Sequence, residues 1–290
     1  MHLRPFVVCG ALVSTLFSGA APHGWSAAAA SGSGRQRPVN ISPPDPATKL
    51  SSTPAAADIA SVRIFREPLV PVGGAPLAQQ NQALAAAIVA FSRVTDEDDV
   101  SAFANFLKAH PNSPWAVSLQ TNLGHLYYKR GYYSLAMAAW EEAWAKGKAV
   151  TNWEGKAIAD RAVGELIKMN ARLGRMDRLR ELLAEIAGRP LWGSASELVL
   201  AGRQGLGLME TRPGDAFRCG PVALASAATA SLKVRNLSSR TNSLRSTTQG
   251  TSLAQLTDLA REVRFDFQPA YRNPGAAVVV PAVVHWKVGH

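Results

Sequence analysis

The chain has 290 residues, 47% of them apolar and 18% charged, which is material for one large or two ordinary cores and excludes a wholly disordered polymer. Its formal charge of +10 comes from scattered Lys and Arg without a nucleic-acid-binding motif, so the balance suits anionic envelope surfaces or acidic partners, and no nucleic acid is expected. Two cysteines, Cys9 and Cys219, exclude a disulfide framework.

Residues 1–30 read as a secretory signal peptide: a short basic start at Arg4, an apolar run from Phe6 to Ala21, and small residues Ala28-Ala29-Ala30 for cleavage. The alternative is an uncleaved segment anchoring the chain to a membrane. Either way the chain is expected to be exported, to the periplasm, envelope or exterior. Cleavage lowers the charge by one and removes Cys9, leaving Cys219 as the one cysteine of the mature chain.

Residues 31–78 are dense in Pro, Ser, Gly and Ala with one extended-looking piece, SVRIF, and read as a linker or a loosely docked arm. Between residues 79 and 209 apolar residues recur at three- and four-residue spacing, with glycines at junctions, which predicts a run of helical hairpins. The acidic run from Asp96 to Asp99 precedes a helix start, where negative charge favours a cap over a metal site. His110 and His125 have no second ligand at zinc spacing, and the glycines of GRQGLGLM do not form a dinucleotide loop.

In LQTNLGHLYYKRGYYSLAMAAWEEAWAKGK, Leu123, Gly124 and Tyr127 form one helix face, Gly131 and Tyr133 the turn, and Ala136, Trp140 and Ala143 the facing helix. Small Gly124 and Ala136 permit close approach while Trp140 and Tyr127 fill the space beside them. This pattern resembles the tetratricopeptide repeat, although Gln120 and Lys148 replace that family's usual Trp and Pro. A weaker copy contains Leu166, Gly174, Leu179, Leu183 and Ile186. Two to three repeats are expected, with an interaction surface for a partner protein.

Residues 210–290 change texture. CGPVALASAATASL predicts a helix that Cys219 opens, because Pro221 is tolerated only in a first turn. There the helix dipole favours thiolate over thiol. TSLAQLTDLAREV predicts a second helix capped by Thr251 or Ser252, and FDFQPAYR and AAVVVPAVVHWKVGH carry strand signals. A nucleophilic thiol needs a histidine, and His285 and His290 stand at the end of that last run. The series CGP, T-S-L-x-x-L, H-W and G-H resembles the bacteriocin-processing, double-glycine leader peptidases, a papain-like cysteine peptidase family.

The resemblance implies Cys219 as nucleophile, His290 as its catalytic partner, a peptide or protein substrate, and no metal or organic cofactor. The family's oxyanion-hole glutamine has no counterpart between Arg212 and Arg218, and Gln204 is too distant to take the role. The acid that follows the family's histidine is not found before residue 290, so continuation of the chain with a strand and an Asp is expected, or an orienting group from Asp215, Asp266 or Asn273. The alternative is a catalytically degenerate domain in a protein-interaction module. The expected fold is thus an all-α, tetratricopeptide-like helical-hairpin domain, then an α+β papain-like cysteine peptidase domain, incomplete at its C-terminus.

Overall fold

The computed structural model of the chain describes residues 50–96, 98–232, 246–247, 250–273, 275–277 and 279–285. The signal-like segment and His290 lie outside them. In chain order the helices are α1 (Ala56–Ser61), α2 (Ala78–Ser92), α3 (Ser101–Ala109), α4 (Ala116–Lys129), α5 (Tyr133–Gly147), α6 (Trp153–Arg172), α7 (Met176–Glu185), α8 (Ser194–Thr211), α9 (Pro213–Ala216), α10 (Cys219–Leu232) and α11 (Leu253–Glu262).

Two helix pairs turn by the same device. After α4, Gly131 takes φ +85°, donates to Tyr128, and lets Tyr132 donate back to the Tyr127 carbonyl. After α6, Gly174 at φ +70° donates to Ala171, and Arg175 to Asn170. Both close the helix end by a paired 5→2 and 6→1 bond that needs a left-handed residue. The α4–α5 approach is set by Gly124: a Cβ there would stand 2.2 Å from Trp140 Nε1. That nitrogen donates to the Thr121 carbonyl of the facing helix at 3.2 Å, so the buried indole leaves no orphan donor.

α6 runs through the centre, packed against α4, α5, α7 and α8. Its Gly164 admits Leu198 of α8, while Gly202 of α8 would place a Cβ 2.2 Å from Ile167 of α6. The main core lies along α5 to α8 around Trp140, Leu166, Ile167 and Leu179; a second core joins α1 to α4 around Phe103, Trp115 and Leu119.

The segment expected to be a linker or loose arm is neither over its described part. Ile59, Val62 and Leu69 are buried in the second core and Val72 in the first, with the Val72 amide donating to the Pro114 carbonyl at 2.8 Å. Phe65 joins Phe91 and Phe103 in a trio of rings, at centroid distances of 6.2 and 5.1 Å from them.

The α+β expectation for the C-terminal part is overturned. Among the described residues no strand forms; the β pairing present there is an isolated antiparallel bridge between Thr247 and Gly250. α10 packs not on a sheet but on α11, through Leu224, Ala228, Leu256 and Ala260, with Val263 and Phe265 closing the cluster. Phe267 and Val283 lie against it as irregular chain, whereas Val279 and Val280 are 81% and 79% exposed. β-branched residues favour extended backbone, but a ladder needs a second strand to take its N–H and C=O groups. The first run puts Phe265 and Phe267 on the α10–α11 pair, the second only Val283, and neither pairs with the other, so the described chain is helical throughout its regular structure.

Candidate functional site

Cys219 opens α10 and presents an exposed thiol. The helix start is held from both sides. Phe217, two residues earlier, is buried in the main core, and Arg218 accepts the first helical bond from the Val222 amide at 3.0 Å. A Cβ on Gly220 would stand 2.8 Å from Thr251 Cβ, so the glycine of CGP and the threonine of TSL lie in contact. Thr251 shares a 2.7 Å hydroxyl bond with Ser246, and Ser252 caps α11 with Gln255 returning the bond in a capping box. His285 is half-buried on the segment whose Val283 meets the α10–α11 cluster. Asp215, Asp266 and Asn273 are all exposed. The structure therefore brings CGP and TSL together and does not place His290.

A second constellation, which sequence reasoning missed, lies where α4 and α6 face the arm. Asn122 of α4 is buried and its carboxamide is fully used. Its Oδ1 accepts from the Glu67 amide at 3.0 Å, while Nδ2 donates to the Glu67 carbonyl at 3.1 Å and to the Ser118 carbonyl at 2.9 Å. One side chain thus pairs with both backbone groups of one residue, as a neighbouring strand would, and holds that residue whatever its side chain.

Beside it, on α6, Arg161 and Glu165 are only 5% and 6% exposed and pair at 2.7 Å. The Arg161 Nε, which has no hydrogen-bond partner, lies 3.6 Å from the Glu67 carboxylate. That separation is too long for a hydrogen bond but close for an ion pair in a dry setting.

His125 completes the ledge one turn along α4. Burial, reinforced by the nearby Arg161 and then Arg66, drives its imidazole down from 6.5 to about 3, so the ring is neutral at ordinary pH. Its 3.8 Å separation from Glu165 is accordingly a contact and not a salt bridge. The ring stands edge-on to Trp140 at 5.7 Å, and its Nε2 is buried without a partner.

No family model, curated protein or solved structure matches the chain.

Among the described residues there is no group of three His, Cys, Asp or Glu that could hold a metal ion, and no helix long and apolar enough to cross a membrane. The clamp's signal in the sequence is indirect: Asn122 beside the close-approach glycine, and Arg161 and Glu165 one turn apart inside the apolar run AIADRAVGELI. Polar residues at positions where periodicity demands apolar ones are either errors of reading or paired groups.

Proposed function

We propose that the helical array is a protein-interaction module that binds an extended, acidic segment of a partner protein along the α4–α6 face. The observation that carries this reading is the two-bond clamp of Asn122 on the Glu67 backbone. It is a sequence-independent grip on the backbone of one residue, next to an arginine whose free edge faces a carboxylate. The signal-like N-terminus supports export, and the basic charge supports acidic partners.

The test is to pan a random peptide library against the whole protein. Retained peptides should be acidic and should bind Asn122→Ala at least tenfold more weakly, since a buried amide left unpaired costs about 1–3 kcal/mol. Ligands indifferent to Asn122→Ala, or no ligand at all, would overturn the proposal.

A second reading keeps thiol chemistry for the C-terminal part. The exposed Cys219 at the first residue of α10 favours a cysteine-type hydrolase in which His290 accepts the thiol proton. Attack on a peptide carbonyl would give an acyl-enzyme that water resolves.

A further inference from the structure

We infer that one end of the helical array, where α2, α4, α6 and α8 begin, docks on an anionic lipid bilayer through Leu77, Trp153 and Trp192. This surface is separate from the α4–α6 flank of the interaction-module reading. Contacts between the helices gather their starts. Asn81, one turn into α2, accepts from the indole of Trp115, the N-cap of α4, at 2.9 Å. At Gly147, which closes α5, an added Cβ would meet Ala159 of α6 at 2.8 Å and Val117 of α4 at 3.0 Å, so both helix starts flank that end of α5. Ala195, Gly202 and Gly205 of α8 face Gly164, Ile167 and Ala171 of α6 in that order, so these two helices run parallel. The loop before α8 is tied to the start of α6 by Lys156, which donates to the Pro190 carbonyl, and by Arg189, which pairs with Asp160. With neighbouring axes about 8–10 Å apart, the row of four starts is roughly 25–30 Å long.

Three of those starts carry a large apolar side chain in water. Leu77 is the N-cap of α2, Trp153 the first residue of α6, and Trp192 stands two residues before α8; they are 67%, 66% and 63% exposed. The exposure is selective, because the other described tryptophans, Trp115, Trp140 and Trp144, are all buried. Rings on separate elements along one end suit a bilayer interface, which takes up side chains without a matching pocket. Tryptophan concentrates there because it offers an apolar body to the acyl chains and an N–H to the headgroup layer.

The charges around the row select an anionic surface. Lys108 at the end of α3, with Lys146 and Lys148 at the end of α5, lies exposed at this end, where Lys146 reaches the Pro111 carbonyl of the loop into α4. Lys156 and Arg189 add to them, as does Arg178, which reaches Glu185. Against these six cations stand four carboxylates, Glu142, Glu154, Asp160 and Glu185, and all but Glu154 are already paired with them. The positive ends of four helix dipoles act in the same direction.

The experiment mixes the full chain, carrying Trp25→Phe and Trp286→Phe, with vesicles of phosphatidylcholine and phosphatidylglycerol in equal parts whose brominated acyl chains quench tryptophan on contact. Quenching should be strong, and adding Trp153→Phe and Trp192→Phe should reduce it at least fivefold, since the three remaining indoles are buried in the protein. On phosphatidylcholine alone it should also fall at least fivefold, as one basic group near an anionic surface accounts for about that factor. Circular dichroism checks that each variant keeps its helices.

Protein that stays off the vesicles, or that binds them with Trp153 and Trp192 unquenched, overturns the inference; equal quenching on neutral vesicles overturns the choice of an anionic surface. Protection of both rings from acrylamide that rises with protein concentration and needs no vesicles assigns this end to a second copy of the chain, and the bilayer reading falls.

Discussion

Replacing Gly202, Gly205 and Gly207 of α8 by alanine, one at a time, separates helix propensity from helix packing within a single element. Each change gains the same intrinsic term, about 0.8–1 kcal/mol for alanine over glycine in a helix interior. What differs is the space. A Cβ at Gly207 meets nothing within 4 Å; at Gly205 it stands 3.2 Å from the Ala171 Cβ; at Gly202 it stands 2.2 Å from Cγ2 of the fully buried Ile167.

Overpacking a filled core costs about 1–3 kcal/mol, so Gly202→Ala should be destabilised by about 0–2 kcal/mol net of propensity. Gly205→Ala should lie within about 0.5 kcal/mol of the parent, and Gly207→Ala should gain about 0.5–1 kcal/mol. Urea unfolding followed by circular dichroism, with an unchanged slope, reads all three. Equal stability of Gly202→Ala and Gly207→Ala would refute the close α6–α8 approach.

The remaining predictions concern the ledge, the arm and the thiol. With its imidazole held at about 3 in the fold against 6.5 as the ordinary value, His125 binds a proton in the unfolded chain that it does not bind when folded. Its contribution is complete above about pH 6.5 and is lost as pH falls toward 3; at 1.36 kcal/mol per pH unit the loss at pH 5 is about 2 kcal/mol. His125→Gln should flatten that part of the profile in urea midpoints taken at pH 7.5 and 5, and an unchanged slope would remove His125 as its source. Leu69→Ala should cost about 2–5 kcal/mol in the same assay, whereas Arg63→Ala, on an exposed position of the same segment, should stay within about 0.5 kcal/mol; similar values would contradict a docked arm. For Cys219, iodoacetamide labelling should proceed well below about pH 8, vanish in Cys219→Ala and shift in His290→Ala; labelling confined to alkaline pH would dismiss the hydrolase reading.

The parts of the molecule set by neighbours in sequence are legible from it. Pro221 two residues after Cys219 marks the start of α10, and Ser252 with Gln255 three residues on marks the start of α11. Gly124 opposite Trp140 is legible as well, because a glycine in one helical run and a tryptophan in the next, on either side of the Gly131 turn, imply two helices in close contact. The parts set by distant neighbours are not. The arm reads as a linker because its Pro and Ala content masks four apolar residues whose burial depends on helices far along the chain. The run around Val279 and Val280 reads as a strand because β-branching reports backbone preference and not the presence of a pairing partner. Asn122 and Arg161 escape notice because a buried polar side chain is recognisable only by what it meets, and what they meet is Glu67, in the arm.

The burial of α6 sets how the molecule opens. Much of its length is covered, with Asp160, Arg161, Glu165 and Asn170 buried among the apolar residues, and it touches helices on both sides in sequence. In a simple repeat array, unfolding can start at one unit and leave the others standing, but the α6 backbone can reach solvent only once α4, α5, α7 and α8 have separated. Its amide hydrogens should therefore exchange with deuterium last and together, at the rate of global unfolding. Those of the 62–72 segment, at the edge of the array with the Glu67 amide on Asn122 and the Val72 amide on the Pro114 carbonyl, should exchange sooner.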